Sequence, residues 1–203
     1  MTVSITRCWK KLKQQLLLLA SLLLLAQAGL CHAADGIVAQ RLQLEAQDGA
    51  LSVASRYRIT LPAMLQQALQ QGVPLTFRLT FELTRPRSSA YWLQLSRWFE
   101  PTASLSFKLS HYGLTGRYRV TIGGLSKNYA SLDEALAAVG SIAGWKVMDI
   151  ADWSPAEQQQ LRGRLRLELD LGQLPRPFQL NALGADDWAM DSGWNGIAPS
   201  GGN

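Results

Sequence analysis

The stretch from Leu161 to Leu171 places Leu161, Gly163, Leu165, Leu167, Leu169 and Leu171 at every second position, with Arg162, Arg164, Arg166, Glu168 and Asp170 between them. Strand side chains point alternately to the two faces of a sheet, so this pattern predicts a long half-buried strand. A helix would spread the same charges round its whole circumference. A second run repeats the pattern, with Leu75, Phe77, Leu79, Phe81 and Leu83 on one face and Thr76, Arg78, Thr80, Glu82 and Thr84 on the other. Leu105, Phe107, Leu109 and His111 share a face in the run Ser104 to Tyr112, and Tyr118, Val120 and Ile122 alternate with Arg117, Arg119 and Thr121.

Earlier in the chain, Leu42, Leu44 and Ala46 mark one face of a strand from Ile37 to Gln47. Asp48-Gly49 then supplies the residues of a tight hairpin turn. The returning strand carries Leu51, Val53, Tyr57, Ile59 and Leu61 against Arg56, Arg58 and Thr60. Pro62 opens a short helix with Met64, Leu65, Ala68 and Leu69 on one face, and Gly72 with Pro74 ends it. Ser131 and Glu134 form a capping-box pattern ahead of Leu136 and Val139, which predicts a second helix. Trp145 to Ile150 reads as a strand, and Ser154-Pro155-Ala156-Glu157 as a further helical turn. From Leu174 to Trp194 the chain is rich in proline and aromatics, and an ordered extended segment over a sheet edge is expected.

About eight alternating runs with two or three short helices indicate a mainly β fold, an antiparallel β-sandwich-like domain. A single curved antiparallel sheet with its helices packed on one face is the alternative. The predicted organisation is a signal peptide over 1–34, a single β-rich domain over 35–197 and a disordered tail over 198–203.

The first of these segments changes what the composition means. Arg7, Lys10, Lys11 and Lys13 precede an apolar run from Leu16 to about Ala28 and small residues near Ala33-Ala34, the layout of a secretory signal peptide. The expected location is periplasmic; the alternative keeps residues 16–28 as an inner-membrane anchor. The whole chain has 20 basic and 15 acidic residues, net +5. Four of the basic residues and none of the acidic ones lie in the signal, leaving 16 against 15. The net basic footprint that nucleic-acid binding requires therefore disappears on export. Cys8 and Cys31 also fall before the expected mature start, so no disulfide partner, thiol nucleophile or cysteine metal ligand is expected there. Leu30 stands where lipidation at Cys31 would want a small residue.

Gly72-Val73-Pro74-Leu75, Arg85-Pro86-Arg87 with Tyr91-Trp92, and Leu109 to Thr115 with Tyr118-Arg119-Val120 form a recognisable set. Trp145, Leu174-Pro175-Arg176-Pro177-Phe178-Gln179, Trp188 and Trp194 complete it. From about Leu42 to Trp194 the chain resembles a family of exported proteins of Gram-negative bacteria catalogued only as a domain of unknown function. The resemblance brings no activity, cofactor or catalytic residue. It implies an envelope or signalling context, with a membrane sensor kinase as one conceivable partner.

Candidate chemistry is sparse. His111 is the only histidine after the signal, and its register with Phe107 and Leu109 makes a core-edge residue the simpler reading than a catalytic base. No cofactor and no metal is expected, because one histidine without cysteine leaves only carboxylates to complete a site. Asp133-Glu134, Asp149 with Asp152, and Asp186-Asp187 are the carboxylate pairs that glycoside hydrolysis could use. Helix-start charge explains the first pair. Arg162, Arg164 and Arg166 could join Arg56, Arg58, Arg117 and Arg119 in one basic stripe if their strands were neighbours; pairing with Glu82, Glu168 and Asp170 is the favoured outcome. The loop carrying Arg85, Arg87, Tyr91 and Trp92 is the expected binding site, since arginine and aromatics anchor interfaces. The expected function is an exported, non-catalytic interaction module acting with an envelope or inner-membrane protein. A carboxylate-dependent enzyme, or a ligand-binding domain for envelope glycans or lipids, is the alternative.

Overall fold

The computed structural model of the chain describes residues 36–84, 102–151, 153–154, 156, 158, 160–182 and 188–199. Nine strands and three helices fall in these residues, together with a short 3-10 turn at Leu171–Gln173. The strands are β1 (Gly36–Gln47), β2 (Ala50–Thr60), β3 (Leu75–Thr84), β4 (Thr102–Tyr112), β5 (Arg117–Ile122), β6 (Leu125–Tyr129), β7 (Ser141–Asp149), β8 (Arg162–Leu169) and β9 (Asn195–Ile197). The helices are α1 (Ala63–Gln70), α2 (Leu132–Val139) and α3 (Arg176–Ala182).

Two antiparallel sheets result: a three-stranded sheet in the order β1-β2-β7 and a six-stranded sheet in the order β6-β5-β4-β3-β8-β9. β1 lies against β8 and β9, and β7 against β4, so the smaller sheet covers the larger. Between them runs one core. Leu44, Leu51 and Val53 meet Leu75, Phe77, Leu79, Phe81, Phe107, Leu109, Leu165 and Leu167 in it, all essentially without exposure. The leucine face of β8 is thus buried as far as Leu169, whereas Leu171, expected on the same strand, is half-buried in the 3-10 turn. The mainly β, sandwich-like reading agrees with the structure.

Two hairpin turns have positive φ at both central residues, as tight turns between twisted strands require. One is Asp48 (51°) with Gly49 (72°); the other is Gly123 (52°) with Gly124 (90°). Gly163 answers a different need. A Cβ there would stand 2.4 Å from the Phe81 ring, so the gap in the leucine pattern of β8 is the space that this phenylalanine fills.

β1 departs from the simple pattern. The register slips between Ala39 and Arg41, so Gln40 is an extra residue with no partner in β2. Inward positions are therefore Ile37 and Ala39 before the bulge and Leu42, Leu44 and Ala46 after it. Gln40 and Arg41 both remain outside.

The helices close the sandwich. α1 buries Leu65, Ala68 and Leu69, whereas Met64, expected on the same face, is exposed. α2 starts as its capping box predicts: Ser131 Oγ accepts from the Glu134 N–H at 3.2 Å, and Glu134 accepts from the Ala130 N–H at 3.1 Å. It packs on β2 and β7 of one sheet and on β4, β5 and β6 of the other. At its end the Gly140 carbonyl accepts from the Tyr57 N–H at 2.8 Å, just beyond the last β2–β7 pair, Arg56 with Ser141.

The C-terminal region differs from expectation in two ways. Arg176–Ala182 forms a helix, with Pro177 in its first turn where no N–H is needed. An isolated parallel bridge also joins Pro199, past the expected domain end, to Leu44 of β1. Between these points the extended covering segment is present. The Leu169 N–H donates to the Met190 carbonyl and the Ser192 N–H to the Leu167 carbonyl, and Trp188, Met190 and Ile197 are buried.

Candidate functional site

The outer face of the six-stranded sheet carries arginines that are already neutralised. Arg164 forms a forked pair with Glu82 on the neighbouring β3, at 2.8–3.0 Å. Arg166 bonds both oxygens of Asp191 at 2.8 and 2.9 Å and lies 2.9 Å from Glu168. Arg78 pairs with Asp170. The Trp194 ring lies over this row, 4.4 Å from the Arg164 guanidinium carbon and 5.8 Å from that of Arg166. Bidentate charge-assisted bonds of this kind use both sides of the arginine fork and leave little for a ligand.

Asp191 fastens the C-terminal segment to β8. The Arg166 hydrogen bond holds its carboxyl below the usual carboxylate value; burial opposes this, and the Gly193 N–H adds a smaller lowering effect. A carboxylate with a depressed folded-state pKa stabilises the fold above its unfolded value, about 4, and this contribution is lost as pH falls through the folded value. Asp191→Asn should therefore melt below the wild type at neutral pH, with the gap closing on acidification below about pH 4. Thermal melts of the two proteins across pH 3 to 7, a window set by the ordinary carboxylate pKa, provide the check; parallel curves would show that the latch adds nothing.

The one-stripe arrangement of arginines does not form. Arg117 and Arg119 on β5 are separated from β8 by β4 and β3, and Arg56 and Arg58 lie in the other sheet. Arg119 is occupied locally, by Asn128 and by Tyr112. Arg56 and Arg58 differ. They project outward from β2 and line a groove of about 490 Å³ with Gln40, Thr60, Asp133, Leu136, Ala137 and Ser141. Arg41 is the cross-strand partner of Arg56 on the same outer face. Among the described residues, none of Arg41, Arg56 and Arg58 has an ion-pair partner. Arg58 instead donates to a neutral acceptor: with its amide oxygen turned inward, Gln40 takes bonds from Nη2 at 2.7 Å and Nε at 3.0 Å.

The groove exists because β7 starts at Ser141, short of the end of β2, and α2 takes the vacated edge. Asp133 reaches it from the first turn of that helix. Beneath lies Tyr57, whose side chain is buried and whose hydroxyl has no hydrogen-bond partner among the described residues. Burial pushes its phenol up, and the Ser192 hydroxyl draws it the other way. That hydroxyl accepts from the Leu167 N–H and donates to the Gly193 carbonyl.

The residues expected from sequence fare unequally. His111 is half-buried in register with Phe107 and Leu109 and tilted against the Tyr118 ring at 4.8 Å, as the core-edge reading requires. Asp149 is exposed; the Ala151 N–H, with Lys146, lowers its pKa. Arg85, Arg87, Tyr91 and Trp92 lie outside the described residues, as do Asp152, Asp186 and Asp187. What can be placed are the ends of the segment that contains the first four, because β3 ends at Thr84, β4 begins at Thr102, and Glu82 pairs with Thr102. Gln40 was not apparent as a site residue, and Asp133 was weighed only as half of a carboxylate pair explained by helix-start charge. The parity change between Ile37 and Leu42 was the available signal for Gln40.

A family model matches residues 34–198, nearly the whole described domain. The chain belongs to the family described as a domain of unknown function, DUF4390. No curated protein and no solved structure matches it. The groove of this DUF4390 domain must therefore be interpreted from its own chemistry.

Proposed function

We propose that this DUF4390 domain is an exported, non-catalytic interaction module of the bacterial cell envelope, which engages its partner through the groove on the three-stranded sheet. One contrast carries the reading. Arg78, Arg164 and Arg166 are neutralised by carboxylates, whereas Arg41, Arg56 and Arg58 gather on one face with no ion pair among the described residues. Like charges directly across a sheet destabilise it, so Arg41 opposite Arg56 is a cost that an anionic partner would offset. The basic segment and apolar run before Ala34 support export, and the family resemblance makes an inner-membrane sensor protein a natural first partner to examine. The size of the groove also favours a second reading, a ligand-binding domain for envelope lipids or glycans, because small-molecule sites typically span about 300–1,000 Å³.

The test compares wild type with an Arg56→Gln/Arg58→Gln variant in co-purification from cross-linked envelope fractions. The variant should melt like the wild type and lose its envelope partner about tenfold or more, the effect of removing charge-assisted hydrogen bonds. Undiminished recovery of the same partner by the variant would remove the groove as the docking surface.

A further inference from the structure

We infer that the groove beside α2 binds a phosphate monoester group, held by Arg56 and Arg58 with Arg41 at its side. This rests on the reading of the groove as the recognition surface and names the group recognised there.

Charge is the first argument. Arg56 and Arg58 line the groove, Arg41 flanks it, and Asp133 is the one carboxylate among the described lining residues. The lining is therefore net basic by one charge before Arg41 at its side is counted. A phosphate monoester carries about −1.5 to −2 at neutral pH and so attracts these guanidiniums more strongly than a single carboxylate does.

Spacing is the second. Arg56 and Arg58 are two residues apart on one strand, so their Cα atoms stand about 7 Å from each other on the same face. Arg41 is the direct cross-strand neighbour of Arg56, at about 5 Å between Cα atoms. Forks so placed can converge on one group only if it offers several acceptor oxygens, and the three oxygens of a phosphate do.

The third argument is how Arg58 is held. Its guanidinium faces the Gln40 amide at 2.7 and 3.0 Å, and two N–H donors there assign the amide oxygen to that side, a neutral acceptor that sets orientation without cancelling charge. Gln40 is free for this because it is the extra residue of the β1 bulge, outside the strand ladder. On the other sheet, the same positioning is done by carboxylates that spend the charge. The remaining lining suits an ester: Leu136 and Ala137 give an apolar wall for the organic part, and Thr60 and Ser141 offer hydroxyls.

A phosphate monoester can be a free metabolite or the headgroup of an acidic lipid, and the experiment separates the two. Full-length protein is titrated with inorganic phosphate and phenyl phosphate, followed by calorimetry. It is then sedimented with phosphatidylcholine vesicles with and without phosphatidic acid. Phenyl phosphate should bind, and Arg56→Gln or Arg58→Gln should each weaken it about tenfold or more. Gln40→Ala should weaken it less, because the charge stays. Arg117→Gln, an equal charge change on β5, should leave it unchanged. Should a glutamine variant unfold, Arg56→Lys keeps the charge without the fork and should still weaken binding. Binding of phenyl phosphate without vesicle binding identifies a soluble ester. Sedimentation that needs both phosphatidic acid and Arg56 identifies the lipid headgroup.

Absence of binding by phosphate, phenyl phosphate and phosphatidic acid vesicles alike would overturn the inference. So would an Arg117→Gln effect as large as that of Arg56→Gln, which would mark diffuse attraction. If the arginine variant loses its envelope partner while no phosphate binds, this inference fails and the proposed docking surface stands.

Discussion

Phe77→Ala is expected to lower the free energy of unfolding by about 3–5 kcal/mol, the cost of deleting a large buried aromatic and leaving its cavity. Phe77 is fully buried on β3 between Leu169 of β8 and Phe107 of β4. Its neighbours belong to hydrogen-bonded strands on both sides and cannot move inward without breaking their own ladders. Cavities collapse poorly under such conditions, so the upper part of the range applies. Domains of this size are stable by only about 5–15 kcal/mol, and the variant should therefore fold but sit near its limit. Equilibrium urea unfolding at unchanged slope is the measurement. A loss below about 1 kcal/mol, within the range of ordinary substitutions, would contradict this account of the core.

Gly140→Ala should cost about 3 kcal/mol, at the upper end of the overpacking range, although one methyl group is all that it adds. The glycine has an ordinary helical φ of −77°, so its backbone conformation does not require glycine. The obstacle is steric: a Cβ would stand 2.3 Å from the Tyr57 carbonyl oxygen and 3.2 Å from its carbon. Backbone cannot swing aside as the end of a side chain can. Relief comes from lifting the end of α2 off β2, which breaks the Tyr57 N–H bond to Gly140 and opens the groove. The variant should therefore lose both stability and ligand binding, whereas Phe77→Ala, measured below its melting temperature, should keep binding. Thermal melts paired with calorimetric titration distinguish the two, and unchanged binding by Gly140→Ala would uncouple α2 from the site.

The alternation in β3, β4, β5 and β8 was legible because a half-buried strand leaves a period of two in its own sequence. The Asp48-Gly49 turn and the Ser131–Glu134 cap were legible for the same local reason. The bulge at Gln40 was not, since one extra residue leaves two short patterns of opposite parity instead of one long one. α3 was hidden by Pro175 and Pro177, which read as extended chain although a first helical turn tolerates them. The site was the least legible part. Arg56 and Arg164 look alike along the chain; strand order alone puts Glu82 beside Arg164 and Arg41 beside Arg56.

Strand order also gives β8 a vulnerable interval while the protein is being made. One edge of β8 pairs with β3, which is synthesised long before it, and the other waits for the segment from Met190 to Ile197. Until that segment arrives, the strand offers a row of unpaired N–H and carbonyl groups to any other chain nearby. Arg164 already meets Glu82 when β8 joins β3, whereas Arg166 waits for Asp191 of the late segment. A charge held open along a strand edge in this way discourages a second chain from pairing there.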